Sequence, residues 1–150
     1  MNDRHLYRGK RIDNGEWLVG FLSKSRYLGK GELVPCVDFE DNGVMCSSCI
    51  DPDTVGQCTG LRDKNGVLIY EGDIVQYSSD CARYLAMVKY GYDKNYQGKY
   101  YGGFYLHWYN DDNSAWFREE VNYWVRERNL EVVGNIAEQA QHDNPELVKK

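Results

Sequence analysis

Alternation of apolar and polar positions, interrupted at short intervals by turn-forming pairs, dominates this chain. In Glu16-Trp17-Leu18-Val19-Gly20-Phe21-Leu22 the side chains of Trp17, Val19 and Phe21 fall on one face with the two-residue period of a strand. Phe104, Leu106 and Trp108 alternate in the same way with Tyr105, His107 and Tyr109. Asn14-Gly15, Asn42-Gly43 and Asn65-Gly66 each separate apolar stretches and predict hairpins through two-residue type I′ turns. The first joins Leu6–Ile12 to Glu16–Leu22, and the second joins Leu33–Phe39 to Val44–Ile50. The third joins a strand near Leu61 to Val67–Tyr70, which passes through Glu71-Gly72-Asp73 into Ile74–Tyr77. Gly72 reads as a bend in the chain and not as a phosphate cradle, because no glycine-rich loop opens a helix there. Further strands are predicted at Tyr84–Tyr90, Phe104–Tyr109 and Leu130–Ile136. The three turns are 28 and then 23 residues apart, which describes successive hairpins and not a repeat array.

One stretch departs from this period. From Ser114 to Arg128, Phe117, Val121 and Trp124 follow helical spacing, with Glu119 and Glu120 early and Arg126 and Arg128 late, as a helix dipole favours. The tail from Glu138 to Lys150 is polar, contains Pro145 and predicts a short turn or a frayed end. Many short strands with one helical insert predict a mainly β fold, a small barrel or sandwich. At 150 residues the chain is expected to be a single domain, 1–150.

Composition sharpens this picture. Thirteen Tyr, four Trp, four Phe and 15 Gly stand beside three Pro, which suits strands and tight turns and argues against disorder. Eighteen basic against 23 acidic residues give a net charge of −5, so the broad basic footprint of a duplex-binding protein is absent. The first residues are polar and no run approaches membrane-spanning length, so the expectation is a cytoplasmic protein without membrane association. Five cysteines, an odd number without an export signal, are expected to be reduced.

Two constellations carry candidate chemistry. Cys46-Ser47-Ser48-Cys49 is a C-x-x-C pair, and with Cys36 and Cys58 it makes a four-thiol array that could hold zinc. The outer spacings are not those of a second knuckle, and Ile50-Asp51-Pro52 opens no helix after Cys49. Ordinary thiols, with no cofactor, are therefore the favoured reading, ahead of metal and of redox catalysis. The second constellation is aromatic: nine of the twenty residues from Tyr90 to Tyr109 are aromatic, interleaved with Lys94, Lys99 and four glycines. Tyr92, Lys94, Tyr96, Lys99, Tyr100, Tyr101 and Tyr105 are the candidate binding residues. Such rings stack on single-stranded nucleic acid or supply rigid area at a protein interface. Asp93, Asp111 and Asp112 offset the two lysines, which ranks a protein partner, or a second copy, above single-stranded nucleic acid. Catalytic signals are sparse: His5 and His142 lie near the termini, His107 sits inside an aromatic strand, and no nucleophile elbow, zincin helix, phosphate loop or dinucleotide fingerprint occurs. The expectation is a non-enzyme.

Four blocks in this order resemble the YopX family. They are Tyr7-Arg8-Gly9-Lys10-Arg11 with Asn14-Gly15-Glu16-Trp17; Ile50-Asp51-Pro52-Asp53-Thr54-Val55-Gly56-Gln57-Cys58-Thr59-Gly60-Leu61-Arg62-Asp63-Lys64-Asn65-Gly66; Ile69-Tyr70-Glu71-Gly72-Asp73-Ile74-Val75; and Glu131-Val132-Val133-Gly134-Asn135-Ile136. The regions about 23–49 and 76–129 read as variable insertions. The resemblance implies an SH3-like β-barrel and a phage or prophage accessory protein acting in the bacterial cytoplasm. It implies no catalytic residue, and the family's biochemical role is not established. Cys58 stands where the family pattern has an aromatic, which reads as a packing substitution and weakens the zinc array.

Overall fold

A computed structural model describes residues 3–26, 29–78, 83–94, 100–109 and 130–138. Ten strands account for most of them: β1 (Tyr7–Lys10), β2 (Trp17–Arg26), β3 (Leu33–Asp41), β4 (Val44–Cys49), β5 (Gly56–Arg62), β6 (Leu68–Tyr70), β7 (Asp73–Ser78), β8 (Arg83–Lys94), β9 (Tyr100–Trp108) and β10 (Glu131–Asn135). The mainly β architecture is the one the alternation predicts. Its strands lie in two antiparallel sheets, and no closed barrel is found among the described residues. The helix expected over 114–128 and the tail lie outside the described residues. The chain divides into two compact units, Met1–Gly60 and Leu61–Lys150.

In the first unit the strand order is β4-β3-β2-β1-β5. Register fixes which side chains share a face: Lys10 stands opposite Trp17, Arg8 opposite Val19, Phe21 opposite Asp38, Ser23 opposite Cys36 and Cys36 opposite Cys49. The other face buries Val37 and Ile50 completely. Gly9 makes that packing possible, because a Cβ there would lie 2.3 Å from Ile50 Cδ1. Ile50 also bridges to Arg11, so the end of β4 meets the end of β1. The segment after it is tied to the same strand: Asp51 N–H donates to Lys10 O (2.8 Å), and Lys10 N–H donates to Thr54 Oγ1 (2.8 Å). Asp51 caps the short 3-10 turn Pro52–Thr54 by accepting from Asp53 N–H at 3.0 Å. The Asp51-Pro52-Asp53-Thr54 block is thus an anchor for β1.

In the second unit the sheet runs β10-β7-β8-β9. Ile69, Val75, Ala86, Val88, Leu106, Trp108 and Leu130 form its core, with Leu61, Tyr77, Tyr84, Phe104 and Val132 packed at the margin. Burial of these side chains is the main favourable contribution to the stability of the unit. Asp63 ties its ends together. One carboxylate oxygen accepts from Asn65 N–H (2.8 Å) and Val67 N–H (2.9 Å), and the other accepts from Val132 N–H (2.9 Å) of β10. Lys64 N–H donates to Leu130 O at 2.9 Å, and the exposed Lys64 ammonium lies 3.2 Å from Glu131. A second carboxylate, that of the buried Asp73, accepts from Tyr70 N–H at 2.7 Å and closes the corner between β6 and β7. Gly72 turns that corner with φ of 90°, donates to Val88 O and accepts from Ile136 N–H, each at 2.8 Å. Its positive φ suits glycine, as the bend reading expected.

The hairpin turns differ from the expectation in two of three cases. Asn42 (φ 49°) and Gly43 (φ 79°) are both left-handed between the paired Asp41 and Val44, which is the type I′ turn. At the other two Asn-Gly pairs only the glycine has positive φ. The first loop spans 12–15, closed by Arg11 N–H to Glu16 O at 2.9 Å, with Asn14 Oδ1 accepting from Glu16 N–H at 2.9 Å. The third is a three-residue loop between Asp63 and Val67, whose backbones are bonded at 2.8 Å. In both, a local side-chain carbonyl or carboxylate captures backbone donors and stabilises a longer loop.

Replacing Asp63 by Ala strands three backbone donors, so Asp63→Ala is expected to lower the unfolding free energy by about 3 kcal/mol or more. Lys64→Ala, which removes only an exposed pair, is expected to cost below about 1 kcal/mol. Urea denaturation of the two variants against wild type checks the contrast, and equal midpoints would contradict the clamp.

Candidate functional site

The family-like blocks are largely occupied in holding the fold: Asp51 caps, Thr54 ties, Asp63 clamps, and Gly72 with Asp73 turns a corner. What they leave over is a face of the first unit. Strand alternation and the β1–β2 register place Arg8, Lys10, Trp17, Val19 and Phe21 on it together. The Arg8 guanidinium carbon lies 5.0 Å from the centre of the Trp17 ring, and Lys10 Nζ lies 5.4 Å from it. Each such cation over indole contributes about 0.5–1 kcal/mol at a partly exposed site. The ring is therefore held with both basic heads around it. Next along β2, Val19 and Phe21 are 46% and 44% exposed, high values for large apolar side chains. At the far side Ser23 Oγ donates to Asp38 Oδ1 at 2.8 Å. Chemically, this face offers area, one aromatic anchor and two cations.

The tyrosine-rich segment is placed differently from the alternation-based expectation. β8 runs on to Lys94 and β9 begins at Tyr100, so the paired ribbon extends past the strand ends expected at Tyr90 and Phe104. Tyr92 lies opposite Gly102, Asp93 opposite Tyr101, Lys94 opposite Tyr100 and Lys89 opposite Tyr105. Tyr105 is half-buried. Tyr96 and Lys99 lie outside the described residues. Where side chains are described, the ribbon divides its aromatics: Phe104, Leu106 and Trp108 serve the core, while Tyr90, paired with Phe104 at 5.0 Å between ring centres, is 59% exposed. Tyr109 is buried, and burial pushes its phenol pKa up.

Of the four thiols proposed as a metal array, the structure brings two together. Cys36 and Cys49 face each other across β3 and β4 with their sulfurs 3.1 Å apart. Cys46 is three positions from Cys49 on the same strand, so alternation sends it to the opposite face, and its thiol points to Val44 O at 3.7 Å. Cys58 is buried on β5, where its sulfur accepts from Gly60 N–H at 3.4 Å. Among the described residues no group of three His, Cys, Asp or Glu is placed to hold a metal ion. Cys81 lies outside them. The C-x-x-C spacing is therefore not the relevant one. The signal that identifies the pair is the turn: a two-residue turn at Asn42-Gly43 fixes the hairpin register, and that register sets residue 36 against residue 49.

Burial, and then the hydrogen bond with Cys49, push the Cys36 thiol up to about 11. Its folded value thus lies above that of an unfolded thiol, about 8.5. Below both values the shift has no effect on stability. As pH rises past the lower one, the unfolded chain loses its proton first and stability falls until the folded thiol ionises too. In reductant, denaturation midpoints measured between pH 7 and 10.5 are expected to fall more steeply for wild type than for Cys36→Ser. Parallel profiles would contradict the shift.

Comparison with known proteins agrees with the blocks quoted above. Residues 6–149 match the family model described as YopX protein. No curated protein matches the chain. Among solved structures, the crystal structure of protein EF1440 from Enterococcus faecalis is similar, with a TM-score of 0.39 and 22% identity over 91% of this chain and 95% of that one. Among the described residues no helix is long and apolar enough to cross a membrane. With the family model covering nearly its whole length, the chain belongs to the YopX family.

Proposed function

We propose that this protein is a non-catalytic binding module that docks a protein partner on the β1–β2 face, as a phage or prophage accessory protein in the bacterial cytoplasm. The observation that carries the reading is the exposure of Val19 and Phe21 beside Trp17, which Arg8 and Lys10 flank. Trp and Arg are among the residues in which interface energy concentrates, and Val19 and Phe21 add apolar area beside them. The Arg11–Ile50 bridge, which returns β4 to β1, supports reading the first unit as an SH3-like, partly rolled sheet that displays this face. The exposed Tyr90 at the start of the tyrosine-rich ribbon supports a second contact area on the other unit. Phosphate tracking is less well served: Asp38 and Glu40 share the register of the face with Arg8 and Lys10, which limits its positive potential.

The test uses the full chain as bait in extracts of infected host cells, with wild type and the double variant Val19→Ser, Phe21→Ser compared at matched thermal midpoints. A partner retained by wild type is expected to be lost, or its Kd to rise at least tenfold, in the variant. Equal retention would overturn the docking face. A labelled single-stranded oligonucleotide that binds wild type with a negative salt slope and no longer binds the variant would establish the nucleic-acid reading instead.

A further inference from the structure

We propose that Cys36 and Cys49 are a dithiol site for two-electron oxidation by a peroxide, forming a cross-strand disulfide that joins β3 to β4. The register places this pair on the same face as Phe21 and Ser23, and the inference does not rest on the docking reading.

Three observations converge on it. First, the two residues are directly opposed in the antiparallel register. Second, they occupy a non-hydrogen-bonded pair. Ile50 N–H donates to Pro35 O at 3.0 Å, so the neighbouring pair carries the β3–β4 hydrogen bond, and Cys49 O is turned the other way to accept from Ile12 N–H at 3.1 Å. Opposed Cα atoms at such a pair stand about 4.5 Å apart, at the short end of the range that disulfides bridge. Third, the sulfurs are already 3.1 Å apart, so little rearrangement separates the thiols from a bond. Access is asymmetric: Cys36 is buried while Cys49 is half-exposed. That makes Cys49 the sulfur that meets an oxidant and Cys36 the one that resolves it.

The chemistry closes as follows. The Cys49 thiolate attacks one oxygen of hydrogen peroxide, the O–O bond breaks, and the departing hydroxide takes up a proton to leave as water. Cys49 is then a sulfenic acid. The Cys36 thiol attacks the Cys49 sulfur, the S–O bond breaks, and the proton from Cys36 leaves with the hydroxyl as a second water while the S–S bond forms. Two thiols lose two electrons, and the two peroxide oxygens gain them. The new bond closes a loop around the Asn42-Gly43 hairpin and locks its register.

The experiment exposes the reduced full-length protein to hydrogen peroxide, blocks remaining thiols in denaturant and maps linked peptides by mass spectrometry. A 2 Da loss located to a Cys36–Cys49 linkage, reversed by dithiothreitol, is expected. The rate should fall at least tenfold when the chain is unfolded in urea, because the fold supplies the proximity. Cys49→Ser should abolish the linkage, and the triple variant Cys46→Ser, Cys58→Ser, Cys81→Ser should retain it. Linkage through Cys46, Cys58 or Cys81 in wild type, oxidation of Cys49 to sulfinic acid without a link, or an equal rate in urea would each overturn the proposal. Mapping in wild type decides the matter even if a serine variant fails to fold.

Discussion

The carboxylate of Asp63 is the constraint on which the second unit depends. Its two oxygens satisfy three backbone donors, two of them within its own hairpin turn and one on β10, 69 residues further along the chain. A turn held only by local hydrogen bonds would be free to fray. Here the same side chain that shapes the loop also fixes where β10 begins, and Leu130, the residue before that strand, is delivered fully buried into the core. Asp73 repeats the device at the next corner. Buried carboxylates are costly unless their lone pairs are occupied; backbone N–H groups occupy both oxygens of Asp63, and Asp73 accepts from Tyr70 N–H through Oδ2.

This division of labour separates scaffold from surface. Most quoted blocks of the YopX-like pattern are accounted for by turns, caps and corners, so their residues have structural reasons to be where they are. Arg8, Lys10 and Trp17 meet through the β1–β2 register, which brings both cations to the indole. Together with the exposed Val19 and Phe21 they form one continuous face of β1 and β2. The cysteines divide similarly: Cys58 is buried on β5, while Cys36 and Cys49 stand opposed across β3 and β4.

Much of the fold was legible because strand alternation and turn chemistry are local. The strands around Trp17, Phe39, Val75, Val88 and Leu106 follow from a period of two, and the bend at Gly72 follows from glycine between a hairpin and a β-branched strand. The turn types were less legible. Asn-Gly favours type I′, but at Asn14 and Asp63 a side-chain oxygen competes for backbone donors and lengthens the loop. The reach of the β8–β9 ribbon was also hidden, because glycines and tyrosines interrupt the apolar alternation while backbone pairing continues through them. For the candidate site, the aromatic excess points to the tyrosine-rich ribbon, whereas the cation–indole cluster is hidden in the sequence because its members on β1 and β2 are separated by a loop.

By itself the sequence determined the class of structure, the position of most strands and, through the Asn42-Gly43 turn, the meeting of Cys36 with Cys49. Each of these depends on dihedral preferences and side-chain period within a few residues. Only the tertiary structure decided that Asp63 reaches Val132, that Ile50 returns to Arg11, and that Cys46 and Cys58 are excluded from the thiol pair. Those outcomes depend on which distant strands come to lie side by side and on which face each side chain then occupies. Such a choice is made by the burial and hydrogen bonding of the whole unit, and no local segment carries it.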